Sequence, residues 1–182
     1  NVNKEALKDN EIFKTVISPY GLNPIGEQTG PDKYDLRKVK YDMTSKNWIG
    51  PFIMAAINTK IVRRSNALSG YLYGKDFEYD EATLGGKGFS GRLKSILMSI
   101  PIAIVMLAKP GSIIKKIVDK ILPSAGEGPS KKDRENGYFN LRFYVTYKDG
   151  SSSIAKVTGD MDPGYGSTSK MLSESAICLA ID

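Results

Sequence analysis

Apolar and polar positions along the chain follow two periods. The clearest period of two runs over 138–147, where Phe139, Leu141, Phe143, Val145 and Tyr147 alternate with Asn140, Arg142, Tyr144 and Thr146. That spacing predicts a strand with its apolar face in a core. Lys148-Asp149-Gly150-Ser151 reads as a hairpin turn, and 154–158 as the returning strand. Weaker strand patterns lie at 35–42 and at 76–84, where Phe77 and Tyr79 point one way. Helical spacing appears over 4–17, ending at Pro19 and Gly21, and over 50–68. In the latter, Pro51 suits the first turn, and Phe52, Ile53, Ala56, Ile57, Ile61 and Leu68 supply the apolar side. A third helix is expected over 92–108, with Pro101 as a kink or break. The stretch 112–122 is amphipathic, with Ile113, Ile114, Ile117, Val118 and Ile121 opposite Lys115, Lys116, Asp119 and Lys120. A loop follows over 123–136, and a last helix over 167–181. Helices and strands do not alternate strictly. The hairpin therefore predicts an α+β fold, an antiparallel or mixed sheet covered by helices, within one domain.

Composition narrows the chemistry. The 182 residues contain no histidine and one cysteine, Cys178. A Ser-His-Asp triad, a histidine base, an internal disulfide and a cysteine-rich zinc site are all excluded. No metal site is expected. The net charge of +6 suggests an anionic partner only weakly. Nucleic acid is not expected, because Phe139, Phe143 and Tyr147 sit on the face assigned to the core. The polar first residues hold no signal-peptide core, and the chain does not begin with Met, which suggests a processed or excised piece.

Four motifs carry candidate chemistry. Gly86-Lys87-Gly88-Phe89-Ser90-Gly91 matches G-x-G-x-x-G. The acidic, alternating segment before it is not the apolar parallel strand of a dinucleotide site, so a flexible glycine loop is the favoured reading. The 50–68 helix carries Asn58, Arg63, Arg64, Ser65 and Asn66 toward its end. Those groups could grip a carboxylate or phosphate, or simply complement and end the helix. The segment 159–170, GDMDPGYGSTSK, leads into the last helix. Asp160 and Asp162 could be an acid/base pair or metal ligands, or be turn and cap residues, which is the commoner use; Gly164, Gly166, Ser167 and Thr168 stand where exposed amides could favour an anion. Finally, the apolar run over 96–108 has 13 residues, against roughly 20 needed to cross a bilayer, so no span is expected. Between 92 and 132, eight basic residues face two acids. That pattern would suit a lipid surface, or two helices covering a sheet or dimer face.

The segments GPFIMAAINTKIVRRSNAL, YGKDFEYDE, GEGPS and GDMDPGYGSTSKMLSESAICLA, in that order, resemble the saccharopine dehydrogenase-like oxidoreductases, in the branch that includes the trans-acting enoyl reductases. The resemblance runs from about Pro31 to the end. Met161 departs from it, standing where a basic residue would be expected between the two aspartates. The family implies an N-terminal Rossmann domain that binds NAD or NADP and is absent here. This chain would then be the second domain, a substrate-positioning and dimerising part with 92–122 as an apolar basic insert, acting on a lipid-like substrate. The resemblance implies a cleft lined by Asn58, Arg63, Arg64, Ser65, Asn66, Asp160, Asp162 and Tyr165. Gly164, Gly166, Ser167 and Thr168 would face the cofactor. With no histidine in the chain, a proton would come from Tyr165, Lys170, the aspartates or water, Tyr165, Lys170 and Asp162 being the candidates. The expected location is cytoplasmic, peripheral on a membrane or lipid droplet. The alternative is a non-catalytic module docked on a lipid surface.

Overall fold

The computed structural model describes Ile12 and residues 17–32, 34–108, 111–121 and 127–181. Among the described residues, five helices and two small antiparallel sheets give an α+β fold. The chain divides into two compact units, Asn1–Lys115 and Lys116–Asp182. Apart from Ile12 and Ile17, the expected helix over 4–17 lies outside the described residues.

The first unit carries a three-stranded sheet in the order β1 (Lys40–Asp42), β2 (Asn47–Gly50), β3 (Thr83–Gly86). Tyr41 faces Trp48 across β1 and β2, their rings edge to face at 5.8 Å. These strands are shorter than the alternation suggests. Residues 35–39 leave strand geometry, and Asp35 instead accepts a hydrogen bond from Thr59. Helix α1 (Ala55–Leu68) begins four residues after Pro51, whose carbonyl accepts the Thr83 hydroxyl. Pro51 therefore closes β2 and does not open the helix.

The buried face of α1 corrects the sequence reading. Ala55, Thr59, Arg63, Asn66 and Ala67 are buried, whereas Ile53, Ala56, Ile57, Ile61 and Leu68 are exposed. A polar network claims the inner side, and it outweighs the apolar stripe as the surface that packs.

Helix α2 (Gly88–Leu107) runs through Pro101 without a break, one of the two outcomes, kink or break, expected there. At 20 residues it is long and apolar enough to cross a membrane by length and composition, which the 13-residue count missed. Its first half packs on β2 and β3 through small residues. Gly91 is buried and Ser95 is 1% exposed. A Cβ on Gly91 would stand 2.2 Å from the Gly86 carbonyl oxygen, and one on Gly85 2.0 Å from Ser95 Oγ. A Cβ on Gly50 would lie 2.8 Å from Ser99 Oγ. Gly86 and Gly88 have φ of 110° and 62°, the left-handed region glycine tolerates, so the turn between strand and helix is tight. The glycines of the G-x-G-x-x-G stretch thus serve close helix–strand packing, next to an antiparallel strand of four residues.

The second unit begins within α3 (Ile113–Ile121), which carries the expected amphipathic pattern. The stretch read as a loop contains a short helix, α4 (Lys131–Asn136). Ser130 Oγ accepts the Asp133 amide at its N-terminus, a cap that the sequence displays as Ser130 followed three residues later by an acid. Strands β4 (Phe139–Thr146) and β5 (Ser152–Gly159) form a hairpin in register from Phe139 opposite Gly159 to Thr146 opposite Ser152. Gly150, at φ 82°, completes its turn. Helix α5 (Gly166–Ile181) ends the fold.

The apolar hairpin face was expected to be core, but Leu141, Phe143 and Val145 are exposed. Among the described residues of 127–181, Ser167 alone is buried, so no helix of the second unit covers the hairpin. A two-stranded ribbon without such cover is marginal in water. Replacing Gly91 by Val forces α2 off β3. We expect a loss of ~1–3 kcal/mol or more in chemical denaturation, whereas Leu93→Val, on the exposed side, stays within about 0.5 kcal/mol.

Candidate functional site

The segment 160–170 joins β5 to α5, and its geometry follows from one carboxylate. Asp162 Oδ1 accepts the Gly164 amide at 2.9 Å. Its Oδ2 accepts the amides of Tyr165 at 2.9 Å and Gly166 at 2.7 Å. The Asp162 carbonyl accepts the Ser167 amide at 2.9 Å. A helix start leaves several N–H groups without internal partners. Here the chain's own aspartate takes them, and its negative charge sits at the positive end of the α5 dipole. The hydrogen bond from Gly166 is the largest reason the Asp162 carboxyl is held below the usual carboxylate range; those from Tyr165 and Gly164 and the Arg134 charge act in the same direction, against a smaller opposing effect of burial.

Short helix α4 supports this turn. The Asp162 amide donates to the Arg134 carbonyl at 2.9 Å, and a Cβ on Gly137 would come within 2.5 Å of the Asp162 backbone. Ser167 Oγ donates to the Met161 carbonyl, and Thr168 Oγ1 to the Pro163 carbonyl. Asp160, Tyr165 and Lys170 are exposed. Tyr165 lies against Gly128, where a Cβ would stand 3.3 Å from its ring. The mouth of α5 is therefore closed by Asp162, and the groups left facing solvent are the Asp160 carboxylate, the Tyr165 phenol and the Lys170 ammonium.

The Arg63 end of α1 lies in the first unit. Arg63 is 3% exposed and Asp32 6%, and they meet at 2.5 Å from Nε to Oδ2. Arg63 Nη1 donates to the Pro19 carbonyl and to Thr59 Oγ1, each at 3.1 Å, and Nη2 to the Tyr79 carbonyl at 2.9 Å. The guanidinium also lies over the Tyr20 ring, 5.5 Å from its centre. Asn66 bonds the Tyr73 amide and the Gly74 carbonyl, holding the loop that follows the helix. Asn58 donates to Glu81, whose other oxygen accepts the Tyr79 hydroxyl at 2.9 Å. Burial first, and then Glu81, push the Tyr79 hydroxyl pKa well up. Arg64 donates to the Leu22 carbonyl, and Ser65 is exposed. Sequence reading placed neither Asp32 nor Tyr79 beside Arg63. Both reach Arg63 across sequence separations that no local spacing encodes.

The fit of these residues to a dinucleotide is poor. A pyrophosphate at α5 needs vacant amides and no competing anion. Gly164, Tyr165, Gly166 and Ser167 already donate to Asp162, and its carboxylate would repel a phosphate. Two surface depressions lie in the first unit. One, of about 370 Å³, is lined by Pro19, Tyr20, Gln28, Thr29, Gly30, Asp32 and Tyr34; the other lies beside residues 34–38.

Comparison with known proteins adds the decisive observation. The chain is 33% identical over 192 residues to the trans-acting enoyl reductase of Mycobacterium ulcerans, covering 98% of this chain and 45% of that protein. It is 33% identical over 183 residues to the one of Mycobacterium leprae, covering 96% and 44%. With that of Mycobacterium bovis the identity is 30% over 188 residues, covering 98% and 45%. The chain is homologous to part of the trans-acting enoyl reductases. It spans less than half the length of these relatives. No family model matches it, and no solved structure does.

Arg63→Met strands the Asp32 carboxylate in the first unit, and should cost ~3–5 kcal/mol in denaturant unfolding. Asp162→Asn tests the α5 cap. The folded-state pKa of Asp162 is depressed, so its contribution is full above the unfolded carboxylate pKa and is lost as pH falls through the folded one. The variant should melt below the parent at neutral pH, and the two melting curves should converge in acid.

Proposed function

We propose that this chain is the substrate-positioning part of an oxidoreductase of the enoyl-reductase type, working with a nicotinamide-binding part of the kind the resemblance implies. The observation that carries the reading is the similarity itself, which takes in 96–98% of this chain and 44–45% of three enoyl reductases. Two structural facts support it. The α5 mouth is closed to phosphate by Asp162, which supports a reading in which the cofactor is held elsewhere. The apolar sides of α1, the hairpin and α5 are exposed, as surfaces that meet a neighbouring domain would be.

In this reading NAD or NADP, when bound elsewhere, supplies hydride chemistry. This chain's contribution is to orient a substrate with an apolar body and keep water from it. Tyr165 and Lys170, exposed beside the capped turn, are its proton-bearing groups toward that substrate. Asp162 acts on the same site by fixing the backbone that carries Tyr165. Arg63 and Asn66, buried with partners of their own, contribute by setting the end of α1 and its loop.

The test uses the protein that contains this chain together with its nicotinamide-binding part. NADPH titration, followed by cofactor fluorescence, should show binding to that protein and none to the 182-residue chain. Tyr165→Phe should leave NADPH binding unchanged while lowering kcat/KM for an enoyl substrate by about 10²-fold. Tight NADPH binding by this chain alone, or full turnover in the Tyr165→Phe variant, would refute the assignment.

A further inference from the structure

Helix α2 is built inside out for a helix in water. The side packed on β2 and β3 carries Gly91, Ser95 and Ser99, spaced four apart. The opposite side carries Leu93, Leu97, Ile100, Ile104 and Leu107, spaced four and three apart, and all five are exposed. An ordinary surface helix places those two sets the other way round. Leu107 is 62% exposed and Phe89, in the first turn, 79%. From Ser95 to Leu107 there is no charged residue. The charges begin on either side, with Arg92 and Lys94 before that stretch and Lys109, Lys115, Lys116 and Lys120 after it, against Asp119 alone up to that point.

We propose that α2 is a docking element for an anionic phospholipid surface, lying in its plane, and that α3, the next helix in the chain, adds its basic residues. The apolar stripe of α2 supplies the buried area, and the basic residues at its ends meet the lipid phosphates. Helix α3 repeats the design on a smaller scale. Ile113 and Ile117 are exposed, and Lys116 and Lys120, each three residues after one of them, flank them on the helix surface. The basic residues are the complement that selects lipid over a protein partner, since the cores of protein interfaces are depleted of charge and favour no single sign. The in-plane orientation follows from the packing. Gly91 and Ser95 hold the first half of α2 on a sheet that cannot enter hydrocarbon without leaving backbone polar groups unpaired. The length that satisfies a crossing helix is used here along the surface.

The proposal does not depend on cofactor chemistry and is tested without it. The 182-residue chain is sedimented with phosphatidylcholine vesicles, with and without phosphatidylserine, at low and at physiological salt. It should pellet with the anionic vesicles, and less so as salt rises. Leu97→Glu/Ile104→Glu, and separately Lys116→Glu/Lys120→Glu, should each weaken that binding about tenfold or more. Circular dichroism melts of both variants should match the parent, because all four side chains lie outside the packed face. Failure of the parent chain to pellet with anionic vesicles overturns the proposal. So does a parent that self-associates in gel filtration and is dissociated by Leu97→Glu/Ile104→Glu while vesicle binding is unchanged, which would give the stripe to a second copy of the chain.

Discussion

Arg63 is the point on which the first unit turns. Its guanidinium takes Asp32, Thr59 and the carbonyls of Pro19 and Tyr79 at once, drawing segments from well apart in the chain onto one helix. Asp32 answers on its other oxygen with the Tyr79 amide at 2.8 Å, while its own amide donates to Tyr20 Oη at 3.0 Å. A buried ion pair of this kind adds little net stability over an apolar replacement, but it leaves few alternative arrangements of the chain. It also fixes which face of α1 points inward. Once Thr59, Arg63 and Asn66 are committed there, Ile57 and Ile61 must lie on the outside.

The same logic recurs in α2, with glycine in place of charge. Gly91 and Gly85 allow backbones to approach at distances that any side chain would prevent, and a helix seated that way shows its large residues outward. The two helices reach the same outcome by different means. Small or polar groups serve the packing within the unit, and aliphatic groups remain for something else. The second unit shows it most plainly, since the apolar face of the hairpin and Leu172 and Leu179 of α5 are exposed. Under the proposed function, those aliphatic surfaces are the ones a neighbouring part would cover.

Local signals in the sequence carried the elements well. The alternation of Phe139 to Val145 and the glycine at 150 identified β4, the turn and β5, and the isoleucine and lysine spacing identified α3. The direction of faces was not legible. Periodicity reports that a helix has two sides, and the assignment of the apolar side to the core assumes that the core lies within the chain. That assumption failed for Ile57, Ile61 and Phe143. Pro101 left a kink or a break open, and α2 shows no break. A proline costs one intrahelical hydrogen bond and some crowding, and α2 continues through it, with apolar residues on both sides.

The turn before α5 shows how far a motif can be read. Two aspartates, two glycines and a run of hydroxyl residues fit an anion site at a helix start, and they equally fit a helix that supplies its own anion. Spacing cannot choose between them, because Asp162 stands two to four residues before the amides it meets, within reach of self-capping. The choice is made by the support beneath. Arg134 fixes the Asp162 amide, and Gly137 leaves room for its backbone, so the carboxylate is held against α5 before any ligand could arrive. An external phosphate would have to displace a carboxylate already bonded to three amides, at a site that gains nothing in charge from the exchange. What the turn leaves available is Tyr165, whose amide is pinned by that same carboxylate while its ring stays half in solvent.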